Sequence, residues 1–151
     1  MLNITLITIG KIKDQALNKI AGEYLKRISP YARLNITELK AESFASTNKE
    51  KAKTLEAERI ETVLTKKTGA KVCLLSEDGE LFTSHDFARK LNQGEIILVI
   101  AGSLGFAKNL LNKYPKISLS PLTFTHEMAR VILLEQIYRA TTILNNKEYH
   151  Y

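Results

Sequence analysis

The chain reads as a single α/β domain, residues 1–151, with a mainly parallel sheet flanked by helices. Three observations predict this. Apolar runs of strand length recur at Leu2 to Ile9, Lys71 to Ser76 and Ile96 to Ile100. Stretches with helical spacing of apolar residues, roughly ten to twenty residues long, lie between them. Gly10, Pro30, Gly69, Gly94 and Pro115 punctuate the joints. Strands separated by helices are joined by crossovers, and crossovers give parallel pairing.

Each element follows from its own residues. Leu2, Ile4 and Leu6 alternate with Asn3 and Thr5, then Ile7 and Ile9 lead to Gly10, a first strand ending in a turn. Lys13 to Ile28 carries Leu17, Ile20, Tyr24, Leu25 and Ile28 on one helical stripe, and Ser29-Pro30 ends it. Arg33 to Leu39 alternates as a second strand, and the polar run Ala41 to Asn48 reads as a surface loop free to move. Lys49 to Lys67 is a charged helix closed by Gly69. Lys71 to Ser76 is the third strand, Asp78-Gly79 reads as a turn, and Ser84 to Asn92 is a helix with Ser84 as its cap. The unbroken apolar run Ile96 to Ile100 is an interior parallel strand covered on both faces. Leu104 to Tyr114 reads as a short helix, Ile117 to Leu119 as a very short strand and His126 to Leu144 as the final helix.

Composition narrows the class. The single cysteine, Cys73, sits in an apolar run, so neither a disulfide framework nor a cysteine metal site is available, and a reducing, cytoplasmic setting is expected. No stretch approaches the length of a membrane helix, and the opening residues read as a strand rather than a leader. The three histidines, His85, His126 and His150, form no ligand spacing, so no metal is expected. The net charge of +6 is unevenly spread: residues 1–75 hold 14 Lys+Arg against 8 Asp+Glu, and residues 76–151 hold 8 of each. A basic half beside a neutral half suits a protein that grips a polyanion with one region and does chemistry with the other; a merely soluble basic surface accounts for it equally well.

The candidate sites lie in the last third. Leu98-Val-Ile-Ala-Gly-Ser-Leu-Gly105 places glycines just after a strand, but no lysine follows as in a phosphate-cradling loop, and the first strand lacks a dinucleotide fingerprint. A tight turn explains such glycines as readily as a binding loop. Leu119 to Phe124 offers backbone groups among apolar side chains, a lining for a flat heterocycle or simply a buried loop. On the final helix, His126 and Arg130 share one side, and Glu135 and Arg139 repeat the spacing in the favourable ion-pair order. Such polar groups must be paired where buried; the pairing serves a dimer interface or orients a nucleic-acid phosphate. The ending Tyr149-His150-Tyr151 stacks on bases, moves a proton, or straps the terminus to the body.

Taken together, Ile7-Thr-Ile-Gly-Lys11, Glu23-Tyr-Leu-Lys-Arg27, the glycine loop at 101–105, the block Leu122-Thr-Phe-Thr-His-Glu-Met-Ala-Arg-Val-Ile-Leu-Leu-Glu-Gln-Ile-Tyr-Arg-Ala140 and Tyr149-His150 resemble the bacterial ribosomal RNA large-subunit methyltransferase H family of the knotted SPOUT class. The resemblance spans essentially the whole chain. It implies a C-terminal trefoil knot, which general fold rules make improbable beforehand. It also implies a homodimer that moves a methyl group from S-adenosylmethionine to N3 of a pseudouridine in a stem-loop of 23S ribosomal RNA, on the assembled ribosome. Carried over by position, Leu75, Gly102, Ser120, Pro121, Leu122, Thr123, Phe124 and Thr125 would line the cofactor. His126, Arg130 and Glu135 would face RNA or the subunit interface, and His150, Arg139 and Tyr149 would serve catalysis, with His150 taking the N3 proton. Ala101, Leu104, Thr125 and the terminal Tyr151 depart from the family's usual glycine, polar residue, proline and basic residue.

Overall fold

Alternation along the central strands sorts the apolar side chains into two cores. In the computed structural model, which describes residues 1–43 and 48–151, β1 (Leu2–Ile9) and β4 (Ile96–Ile100) lie side by side at the middle of a five-stranded sheet. Leu2, Ile4, Leu6, Ile96, Leu98 and Ile100 point into one core. Ile7, Ile9, Ile97 and Val99 point into the other. Every residue of β4 is buried, as its unbroken apolar run requires of a strand covered on both sides. Full burial of each Leu, Ile or Val contributes about 1.5–3 kcal/mol.

The helices divide accordingly. α1 (Gln15–Ile28), α3 (Ser84–Leu91) and α5 (His126–Leu144) supply Ala21, Ile28, Phe87, Leu91, Leu133 and Ile137 to the first core. α2 (Lys49–Leu64) and α4 (Lys108–Lys113) supply Ala57, Ile60, Leu64 and Leu110 to the second. With β2 (Ala32–Leu39), β3 (Lys71–Leu81) and β5 (Lys116–Ser118) the strand order is β2-β1-β4-β3-β5, and every pairing is parallel. All carboxyl ends therefore open onto one edge, where ligands of open α/β sheets bind. Among the described residues, no helix is long and apolar enough to cross a membrane. Cys73 is buried, and burial pushes its thiol up, away from reactivity.

Several expected boundaries are corrected. Asp78-Gly79 does not turn the chain back: β3 continues to Leu81 past a bulge at which Leu75 and Glu80 both face Ile117. Ser76 and Lys116 bind the two oxygens of Asp78 at 2.5 and 2.7 Å, fixing the bulge in place of a turn. A Cβ on Gly79 would lie 2.5 Å from the Ile117 carbonyl carbon, so glycine stands there for close backbone approach. Thr83, not Ser84, caps α3, its hydroxyl accepting from Asp86 N–H at 3.1 Å. The helix expected from Leu104 begins only at Lys108, because Gly105, at φ +78°, holds the chain out of helical geometry. α2 stops at Leu64 rather than Lys67, and α1 starts at Gln15, behind an Asp14 cap, rather than at Lys13. Of the loop expected at 41–48, residues 44–47 lie outside the described residues. At its start Glu42 is tied down, paired with Arg59 at 2.6 Å.

Candidate active site

Three strand ends meet at the carboxyl edge. Leu75 is half-buried on β3 and paired in register with Ile117 of β5, while on the other flank of β3 the neighbour is β4, after which Gly102 follows by two residues. The loops after β4 and β5 thus rise about two strand spacings, ~10 Å, apart with Leu75 between them. The run after β5 leaves one border of the sheet and delivers His126 to the far side of β4. There its Nε2 lies 3.9 Å from where a Cβ on Gly10, just past β1, would sit. Residues 119–125 therefore connect the end of β5 to the neighbourhood of the β1 end.

The lining is apolar and backbone-rich. Leu122 is 73% exposed, an unusual position for a large apolar side chain, while Phe124 is half-buried and Pro121, Thr123 and Thr125 are exposed. Ser120 shapes the turn: its hydroxyl accepts from Leu122 N–H at 3.0 Å, and its carbonyl accepts from the Ser118 hydroxyl at 2.8 Å. Gly102 presses a bare α-carbon against β1, since a Cβ there would sit 2.9 Å from Ile9 Cγ2. The loop closes on itself through Gly105 N–H donating to the Gly102 carbonyl at 3.1 Å. Among the described residues, the N–H groups of Gly102, Ser103 and Leu104 have no acceptor. Free backbone donors beside exposed apolar carbon suit a flat, weakly polar ligand.

The start of α5 is a clamp. Thr125 caps the helix, accepting from Met128 N–H at 3.3 Å, so the residue that departs from the family's proline supplies a cap in its place. Glu127 accepts from the backbone N–H groups of Lys13 and Asp14 at 2.7 and 3.0 Å, tying α5 to the start of α1. Arg130, expected to face RNA or a partner subunit, donates within this chain to Glu38 at 2.7 Å with its side chain 11% exposed.

Toward the other end of α5 a polar network gathers. Arg139 pairs with Glu135 at 2.6 Å, as their spacing predicts, and this bond raises the Arg139 pKa. Past Leu144 the chain folds back at Asn146, φ +52°, and Lys147 N–H donates to the Thr142 carbonyl at 2.9 Å. The tail thereby docks on the helix: the Tyr149 hydroxyl donates to Glu135 at 3.0 Å, and the Arg139 guanidinium lies 4.8 Å above the Tyr149 ring. Burial first, then hydrogen bonds with Tyr24 and Glu135, push the Tyr149 phenol far above its usual range, so it acts as a donor and not as a base. His150 Nδ1 lies 3.2 Å from an Arg139 nitrogen, and because guanidinium only donates, the neutral ring carries its hydrogen on Nε2 and its lone pair on Nδ1.

The structure brings Glu135, Arg139, Tyr149 and His150 together, and separately brings Leu75, Gly102 and residues 118–125 together. The two sets adjoin different parts of α5, one through Thr125 and the other through Glu135 and Arg139. Thr125 and Arg139 are fourteen residues apart across α5, about 21 Å at 1.5 Å per residue. Sequence reasoning missed Gln136, which donates to Glu135 at 2.6 Å, and His85, whose ring meets that of His150 edge-on at 4.9 Å. No sequence spacing links α3 to the tail, so only the fold reveals His85. The reach of Glu127 to Lys13 was equally unreadable.

Comparisons with known proteins identify the family and the fold. A family model described as "Predicted SPOUT methyltransferase" matches residues 2–150. A protein named ribosomal RNA large subunit methyltransferase H from Acetivibrio thermocellus is 39% identical, covering 99% of each chain. One of the same name from Kosmotoga olearia is 38% identical, covering 99% of this chain and 100% of its own. Among solved structures, one provisionally described as an RNA methyltransferase from Bacillus anthracis superposes with a TM-score of 0.59 at 12% identity, covering 99% of this chain and 100% of that one, a likeness of fold.

Proposed function

Because the chain belongs to the SPOUT methyltransferase family, we propose that it methylates ribosomal RNA with S-adenosylmethionine, and that the target is N3 of a pseudouridine in a 23S stem-loop on the assembled ribosome. The observation that carries the reading is the meeting of Leu75, Gly102 and the 118–125 run at one sheet edge. The relatives' names supply the substrate class.

The edge fits the cofactor. Gly102 gives the close backbone approach, the Leu104 N–H is free to donate, and exposed Leu122 with Phe124 gives apolar cover for an adenine ring and a thioether. Leu75, Gly102, Ser120, Pro121, Leu122, Thr123, Phe124 and Thr125 would hold it. When bound, S-adenosylmethionine supplies an electrophilic methyl carbon. The rest of the work is alignment, exclusion of water and removal of the N3 proton.

His150 takes that proton at Nδ1, where its lone pair lies. Arg139 now covers this atom, so the guanidinium must swing to the base's carbonyl oxygen, where negative charge develops, and the same motion frees Nδ1. Glu135 and Tyr149 hold Arg139 and the tail in place for the exchange. Two ends of α5 lying about 21 Å apart cannot serve one methyl transfer, which needs reacting atoms ~3–3.5 Å apart. A homodimer resolves this: the tail of one subunit completes the edge of the other, and a carboxyl-terminal trefoil knot accords with the 119–125 connection. The excess of basic residues in 1–75 gives each subunit a footprint for a polyanion.

The test is nucleotide mass mapping of ribosomal RNA from cells lacking the protein, repeated after restoring the intact chain or a His150→Ala variant. The expected result is a missing N3 methyl restored by the intact chain only. Restoration by both removes His150 from the chemistry, and an unchanged modification map overturns the function.

A further inference from the structure

Glu56 is the only buried charged residue among the described residues, 6% exposed on α2. One of its oxygens accepts from Glu42 N–H at 3.0 Å, and the other, Oε1, has no partner. A buried carboxylate oxygen without a donor is costly, so a structure that keeps one has a use for it. Oε1 points at the glycine loop, 3.5 Å from where a Cβ on Gly102 would sit. The crevice around it, lined by Ile9, Lys53, Ala57, Gly102, Gly105 and Phe106, leaves no room for a water molecule. Its missing donor must therefore come from the chain.

Among the described residues, two donors are at hand. Lys53 lines the same crevice, but its ammonium is turned to Glu50 at 3.8 Å. The backbone of the glycine loop is the better candidate: the N–H groups of Gly102 and Ser103 lack acceptors among the described residues, and Gly102 puts no side chain between them and Oε1. We propose that Glu56 is a positioning residue for methyl transfer: when the cofactor occupies the edge, the loop after β4 settles toward α2, and the Gly102–Ser103 backbone donates to Glu56 Oε1, locking the loop over the ligand. The inference rests on the cofactor reading above. It extends the cofactor site to a helix that no motif marked. Because the second oxygen holds Glu42, it also ties the loop to the segment after β2.

The test combines calorimetric titration with S-adenosylmethionine and amide hydrogen exchange, on the intact chain and on Glu56→Gln and Lys53→Met variants. In the intact chain, the cofactor should slow exchange of the Gly102 and Ser103 amides at least tenfold. Glu56→Gln keeps one acceptor and turns an amide N–H₂ toward the other donor. It should bind the cofactor five- to tenfold more weakly, leave the loop amides unprotected even at saturation, and raise KM for the cofactor far more than it lowers kcat. Lys53→Met should behave as the intact chain. Cofactor binding to the intact chain without protection of these amides overturns the proposal, whether or not Glu56→Gln folds. So does a Lys53→Met variant that loses the protection. An intact chain that binds no cofactor overturns the proposed function itself, and this inference with it.

Discussion

The two polar regions of the molecule are built in opposite ways. At the carboxyl edge of the sheet, the candidate cofactor loops carry unpaired backbone donors, a bare glycine and an exposed leucine. Near the far end of α5, Glu135, Arg139, Tyr149 and His150 are joined to one another by side-chain hydrogen bonds and ring contacts. In the first region backbone donors lack partners within the chain; in the second the polar side chains are paired with one another. A site that binds is left open, and a site that positions charge is pre-organised.

Breaking the satisfied region should cost most. Arg139→Ala should lower kcat by about 10²–10³, the usual loss when one donor to developing charge is removed, while calorimetry finds cofactor affinity changed less than twofold. An equal loss of cofactor affinity would mean that the two regions are not functionally separate. Mixing sharpens the same contrast. Gly102→Val should abolish cofactor binding and His150→Ala should abolish transfer. Co-expressed in equal amounts, they should recover about a quarter of the intact activity, because in the proposed homodimer half the dimers are mixed and each holds one complete site. No recovery would confine each site to one subunit.

The smallest effect is on stability at high pH. The Tyr149 pKa is raised by burial and by its bonds to Tyr24 and Glu135, so the folded state favours the protonated phenol. The resulting stabilisation is complete below the ordinary tyrosine value of about 10 and is lost as pH rises beyond it. Tyr149→Phe should cost about 1 kcal/mol at neutral pH and flatten the alkaline fall in Tm. A fall of the same steepness in both proteins would place its origin elsewhere.

Strands and helices were legible because burial on both faces of β4 and the period of α5 are written in local apolar spacing. The Glu135–Arg139 pair was legible for the same reason, being one helical turn long. The bulge at Gly79 was not, since Asp-Gly is a turn signal unless a neighbouring backbone presses against it, and that neighbour, Ile117, lies far along the chain. The Arg130–Glu38 pair was hidden for the same reason: Glu38 is supplied by a strand from the opposite end of the sequence. The candidate cofactor residues were named by family likeness, and the placing of Leu75, Gly102 and Ser118 at one edge follows from strand order, which no local pattern encodes.

Glu127 binds backbone amides 114 residues upstream. A nascent chain leaving the ribosome thus holds its first helix without that anchor until α5 has been made. Assembly of the α1–α5 layer must wait for that helix, and contacts so distant slow the search for the native state. The protein should mature late and gradually, and truncations that remove α5 should yield insoluble chains rather than smaller folded ones.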